Sequence, residues 1–122
     1  MLIKHLDRPG LVHENGLDAQ RLLPWPELNA PFEGSWCVIA PGTASTPHAH
    51  HEYEIFIAVS GSAFLESEGT RVPFEKGDIV HFTPGTGHRV VNESGEDFEM
   101  YSVWWDLEMS ERFSARHPEG AK

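Results

Sequence analysis

Apolar and polar residues alternate along this chain in short runs, and no helical period is sustained before residue 107. Ser35 to Ala40, Ala63 to Ser67, Thr70 to Phe74, Ile79 to Phe82, His88 to Asn92 and Phe98 to Trp105 each read as a strand. His48 to Ser60 reads as a strand pair or one bent strand. Turn signals part them at Pro41-Gly42, Ser60-Gly61-Ser62, Glu68-Gly69, Glu75 to Asp78, Pro84 to Gly87 and Glu93 to Glu96. Upstream, Leu2-Ile3 is a candidate edge strand and residues 20–23 a short strand. Pro24 and Pro26 continue neither a helix nor a central strand, so residues 24–34 read as a loop. Trp25 and Phe32 in that loop are expected to cover one end of the core. Residues 107–116 read as a terminal helix and 117–122 as a frayed tail. Turns recurring about every 8–12 residues predict an all-β sandwich or barrel.

The same alternation sorts the chemistry-bearing residues. In an extended strand, side chains two apart share a face. His48, His50 and Glu54 have one parity, so two imidazoles and a carboxylate point the same way, and His88 is available as a fourth ligand. Nitrogen and oxygen donors together suit Mn, Fe, Co, Ni, Cu or Zn, whereas Ca²⁺ and Mg²⁺ fit three histidines poorly. Glu52 shares the ligand parity and is a second carboxylate for the mouth or a rim charge. His51 and Tyr53 have the opposite parity and face away. His81 lies on a strand whose inward parity the sequence leaves open: it is a candidate general acid or base, or a structural histidine. Arg89 alternates outward from His88. Met100, Ser102 and Trp104 share one face; Tyr101, Val103 and Trp105 share the other. His5 and His13 have no partner at ligand spacing and read as surface or packing residues.

Composition narrows the partners. The 122 residues suffice for one core, so residues 1–122 are expected to form a single domain. A net charge of −10, from 19 acidic and 9 basic residues, repels phosphate backbones and anionic lipid. Nucleic acid and membrane surfaces are therefore not expected partners. The single cysteine, Cys37, sits in an apolar run and reads as a small buried hydrophobe. No basic segment leads into an apolar run at the N-terminus, and no apolar stretch approaches the roughly 18 residues of a membrane span. The expected setting is cytoplasmic. Ile55, Ile57 and Val59 alternate outward and need cover, which predicts a homodimer.

Two blocks carry a resemblance. Gly42, His48, His50, Glu54 and Gly61 are separated by five, one, three and six residues, and Gly77, Gly85, His88 and Asn92 follow the companion spacing. In both blocks the chain resembles the cupin superfamily, as a small single-domain cupin, over about residues 36–105. Thr83 departs from the pattern, standing where the family has proline, with Pro84 one place later. The resemblance implies a double-stranded β-helix, or jelly-roll barrel, preceded by N-terminal strands in 1–35. It also implies a 3-His-1-carboxylate site of His48, His50, Glu54 and His88 for one divalent transition metal: Zn, Fe, Mn or Ni. The implied function is a metal-dependent enzyme acting on a small polar metabolite by isomerase, lyase or dioxygenase chemistry, with Glu54, Glu52, His81 or Tyr53 handling protons. The R-L-L-P-W lead-in and S-V-W-W-D exit are similar to cupins paired with tRNA-synthetase-like ligases in natural-product biosynthesis. That similarity implies zinc, a ligase partner and N–N bond formation. A non-catalytic cupin that binds metal or a small molecule is the third reading.

Overall fold

The computed structural model describes residues 1, 3–21 and 30–116. Among these, the strands are β1 Val12–Glu14, β2 Leu17–Arg21, β3 Glu33–Ile39, β4 Tyr53–Ser60, β5 Ser62–Ser67, β6 Thr70–Glu75, β7 Ile79–Phe82, β8 His88–Val91 and β9 Phe98–Trp105. One α-helix, α1, spans Leu107–Arg116, and a short 3-10 turn covers Arg8–Gly10. The strands make a six-stranded sheet, β1-β2-β3-β9-β4-β7, and a three-stranded sheet, β6-β5-β8, antiparallel throughout. This is the all-β architecture that the turn spacing predicts, in the jelly-roll form that the resemblance implies.

Alternation builds the core. On β4, Glu54, Phe56 and Ala58 are buried, and on β9 Phe98, Met100 and Ser102 are buried, while their neighbours are only half-covered. Ala63, Leu65, Phe74 and Val90 enter the same cluster from the smaller sheet, and Ile39, Phe56, Phe98 and Met100 from the larger. Asn92 closes the far end, with no exposed surface. Its amide donates to Ile39 O (2.8 Å) and Glu96 O (2.7 Å), and its Oδ1 accepts from the backbone and hydroxyl of Ser94. A buried amide so fully satisfied pins β8 to β3 and to the following turn.

Two expectations at the N-terminal end change. Ile3 is not in a strand, and Leu2 lies outside the described residues. The first strands are instead the β1–β2 hairpin, turned at Asn15 (φ 53) and Gly16 (φ 77). Two successive positive φ values are the type I′ geometry that matches strand twist. The strand expected at 20–23 is present as far as Arg21, and residues 22 and 23 lie outside the described residues, as does Trp25. Phe32 lines a hollow with Val103, Trp105 and Ser110 on the outer side of the large sheet. The Thr83 departure is absorbed locally. Thr86 N donates to Thr83 O (3.2 Å), with Pro84 and Gly85 (φ 79) between them, a turn that takes proline and glycine in that order.

Candidate metal centre

The histidine segment crosses between the sheets. Ser45 N donates to Val90 O, and His48 and His88 exchange backbone hydrogen bonds of 3.3 and 3.0 Å, so residues 44–48 run along β8 of the small sheet. The chain then bends, and from Tyr53 it joins the large sheet as β4. Shared parity on one extended strand is therefore not what converges the ligands. His48 is held beside His88 by the small sheet, Glu54 comes from the large sheet, and His50 lies on the crossing. Gly85 N donates to His50 O (2.8 Å), tying that crossing to the turn before β8.

The three rings surround one carboxylate oxygen. Glu54 Oε1 lies 2.8 Å from His88 Nε2, 3.2 Å from His50 Nε2 and 3.9 Å from His48 Nε2. Ser102 Oγ donates to Glu54 Oε2 at 2.7 Å and fixes the carboxylate plane. One ligand atom from each of His48, His50, Glu54 and His88 lies within 4.8 Å of the other three. Burial pushes the Glu54 carboxyl up. Hydrogen bonds with His88, Ser102 and His50 outweigh it and hold the pKa below the usual carboxylate value.

Ring orientation tests whether this set fits a metal. His48 Nδ1 lies 2.9 Å from Thr46 O, and His88 Nδ1 lies 2.8 Å from Thr86 O. A carbonyl only accepts, so both Nδ1 atoms carry the proton, and in the neutral rings Nε2 presents a lone pair. Those lone pairs face the lone pairs of an ionised Glu54. Acceptors aimed at one another need a proton or a metal cation between them: a proton makes the hydrogen bonds that lower the Glu54 pKa, and a borderline divalent metal suits two or more imidazoles and a carboxylate in its place. His50 Nδ1 is buried without a hydrogen-bond partner among the described residues, with Glu52 Oε1 3.8 Å away. The donor set fits a transition metal.

A cavity of about 290 Å³ opens onto His48, His50 and Glu54. Glu52, Phe56 and Trp104 line it, as does Cys37, whose thiol burial, aided by the Glu54 charge, pushes up to about 12. Cys37 is thus a neutral wall residue. His81 requires correction. Register pairs Glu54 with Phe82 and Ile55 with His81, so Phe82 takes the inward place and His81 faces out. There it lies parallel to Tyr53 and Trp105, both 6.0 Å between centroids. It is not brought to the centre. His51 also faces out, bonded to Asp106 at 2.9 Å. Sequence reasoning missed the Thr46 and Thr86 carbonyls, Ser102 as the Glu54 partner, and the contributions of Arg21 and Ser35 to the cavity. Asn15-Gly16 was the available signal for the hairpin that carries part of this wall.

Comparison with known proteins agrees with this architecture. A family model described as a cupin domain matches residues 35–104, more than half of the chain. A Cupin 2 conserved barrel domain protein from Salinispora arenicola is 58% identical, with a TM-score of 0.91, covering 96% of this chain and 98% of that one. The plu4264 protein from Photorhabdus luminescens is 40% identical, with a TM-score of 0.90, covering 98% and 99%. The polyketide cyclase RemF from Streptomyces resistomycificus is 20% identical, with a TM-score of 0.70 over 84% and 79%, a likeness of fold alone. The family match spans the whole ligand-bearing region between β3 and β9, and this chain belongs to the cupin family.

Proposed function

We propose that this chain is a metal-dependent cupin enzyme acting on a small polar metabolite. His48, His50, Glu54 and His88 hold one divalent transition metal: zinc, iron, manganese or nickel. The convergence of their four ligand atoms within 4.8 Å, with His48, His50 and Glu54 on the wall of a cavity, carries the reading. A bound metal supplies a Lewis acid that polarises a carbonyl or carboxylate. The chain's own residues do the rest. Thr46 and Thr86 carbonyls hold two rings in the ligating tautomer, Ser102 orients Glu54, and Phe56 and Trp104 exclude water. Glu52, beside His50 on the cavity wall, takes or returns a substrate proton. Isomerase, lyase and dioxygenase chemistry all use these parts. The proposed setting is cytoplasmic, and the proposed unit is a homodimer.

Elemental analysis of protein purified without chelator or affinity tag tests the reading. About one metal per chain is expected, lost in His48→Ala and in His88→Ala. Iron directs assay toward O₂ chemistry, and zinc toward isomerases. Zinc with turnover only of an amino-acid conjugate made by a ligase partner supports the narrower N–N bond-forming role. Tight ligand binding without turnover supports a binding module. No metal in the wild type, even after anaerobic reconstitution, sinks the enzyme reading.

A further inference from the structure

Resting on the metal-site reading, we propose that Arg21 and Ser35 form a carboxylate-binding subsite across the cavity from the metal ligands. The substrate is then a small metabolite with a carboxylate remote from its metal-binding end.

The register of the large sheet builds this subsite. Arg21 on β2 pairs with Ser35 on β3, Ser35 with Ser102 on β9, and Ser102 with Phe56 on β4. Paired residues share a face, so Arg21, Ser35 and Ser102 make a polar row along the inner wall. Ser102 ends the row on Glu54. Ser35 Oγ is buried, in a residue 3% exposed, and has no hydrogen-bond partner among the described residues. Buried hydroxyls are almost always paired, so an orphan on a cavity wall points to a ligand atom or a water there.

Arg21 supplies the charge. Its guanidinium carbon lies 4.8 Å from the centroid of the Trp104 ring, and Trp104 pairs directly with Glu54. The guanidinium therefore lies over an indole that shares the inner face of the sheet with Glu54. Among the described lining residues Arg21 is the only cation apart from the histidines. Among the described residues its nearest acid is Glu14, with Nη2 and Oε1 3.7 Å apart, beyond hydrogen-bond length. Both side chains are more than a third exposed, and such a pair holds weakly. The fork of N–H donors is thus free to exchange Glu14 for a substrate carboxylate, which it matches with two parallel hydrogen bonds. Glu14, Glu52 and Glu54 also line the cavity, so an anionic group is accepted only where it takes the place of Glu14 at Arg21 and is repelled beside Glu52 and Glu54. A cavity of about 290 Å³ admits a compact acid rather than a large ester.

Calorimetric titration of the metal-loaded protein with 2-oxoglutarate and with 2-oxovalerate tests the subsite. The two acids share a 2-oxo acid head and differ at the remote carboxylate. The wild type is expected to bind the diacid about tenfold or more tightly. Arg21→Ala and Arg21→Gln bring that ratio close to one, with metal content and 2-oxovalerate affinity unchanged. Ser35→Ala lowers the ratio by a few-fold. Equal affinities in the wild type, a ratio that survives Arg21→Ala, or no binding of either acid at millimolar concentration overturns the subsite and leaves the metal reading standing. Failure to take up metal overturns both.

Discussion

Single side chains at this centre are fixed from more than one direction. The Phe82 ring lies against His88, 4.0 Å between centroids and 8° from parallel, while Thr86 O holds the edge of the same imidazole. Asp106 works similarly at the end of β9. Its Oδ1 accepts from Met109 N at 2.7 Å, capping α1, and its Oδ2 pairs with His51. The backbone hydrogen bond from Met109, with a smaller contribution from His51, holds the Asp106 pKa below the usual carboxylate value against slight desolvation. A carboxyl lowered in the folded state stabilises fully above its unfolded pKa of about 3.9, and that stability is lost as pH falls through the folded value. Asp106→Ala is expected to cost about 1 kcal/mol near neutral pH. Asp106→Asn keeps an acceptor for Met109 N and costs less. In melting curves from pH 7 to pH 3, the gap between wild type and Asp106→Asn should close at the acidic end. A gap independent of pH would show that the charge contributes nothing.

Whole elements decide whether those residues meet. The β1–β2 hairpin lies against the segment that leads into His48: Thr46 N donates to Asn15 O at 2.7 Å. A Cβ on Gly16 would stand 2.8 Å from both Ala44 O and Thr46 N, with φ at 77°. Gly16→Ala therefore displaces the backbone whose Thr46 carbonyl orients His48. The expected cost is about 2 kcal/mol or more, with metal affinity weakened several-fold in a competition titration. Lower stability with unchanged metal affinity would separate the hairpin from the site. The strands from β5 to β9 were legible because turns bearing glycine or proline bound each one. Four ligand residues were legible from type and spacing. The parity argument reached four residues that do converge, but by the wrong route, because residues 44–52 cross between sheets rather than extend one strand. The facing of His81 was hidden because Ile79, Val80 and Phe82 are apolar on both sides, and only its pairing with Ile55 decides it. Arg21 and Ser35 were hidden because strand order, not chain order, makes them neighbours.

At the scale of the molecule, the outer face of the large sheet is incompletely covered. The segment Lys4 to Leu6 lies near Trp36 and Tyr101, and α1 near Val103 and Trp105. Beyond them, the Tyr53, His81 and Trp105 rings lie within 15° of parallel, with centroids 5.7 to 6.0 Å apart, across β4, β7 and β9. Ile55 and Ile57 are half-buried beside them, and Ile79 on the edge strand β7 is 67% exposed. Aromatic and aliphatic side chains gathered on an unpaired edge favour association, and the homodimer proposed above places this face between two copies. The charge of −10 on each chain opposes that association everywhere except at the apolar patch. Screening should then strengthen it, so sedimentation equilibrium is expected to give twice the 13.7 kDa chain mass, with tighter self-association as salt rises. Ile79→Asp puts a charge into the contact and should shift the protein to single chains, with far-ultraviolet dichroism and metal content unchanged. Wild-type protein that sediments as single chains at micromolar concentration rules out the dimer. A dimer indifferent to Ile79→Asp rules out this face, because a desolvated aspartate without a partner cannot be tolerated at the centre of an apolar contact.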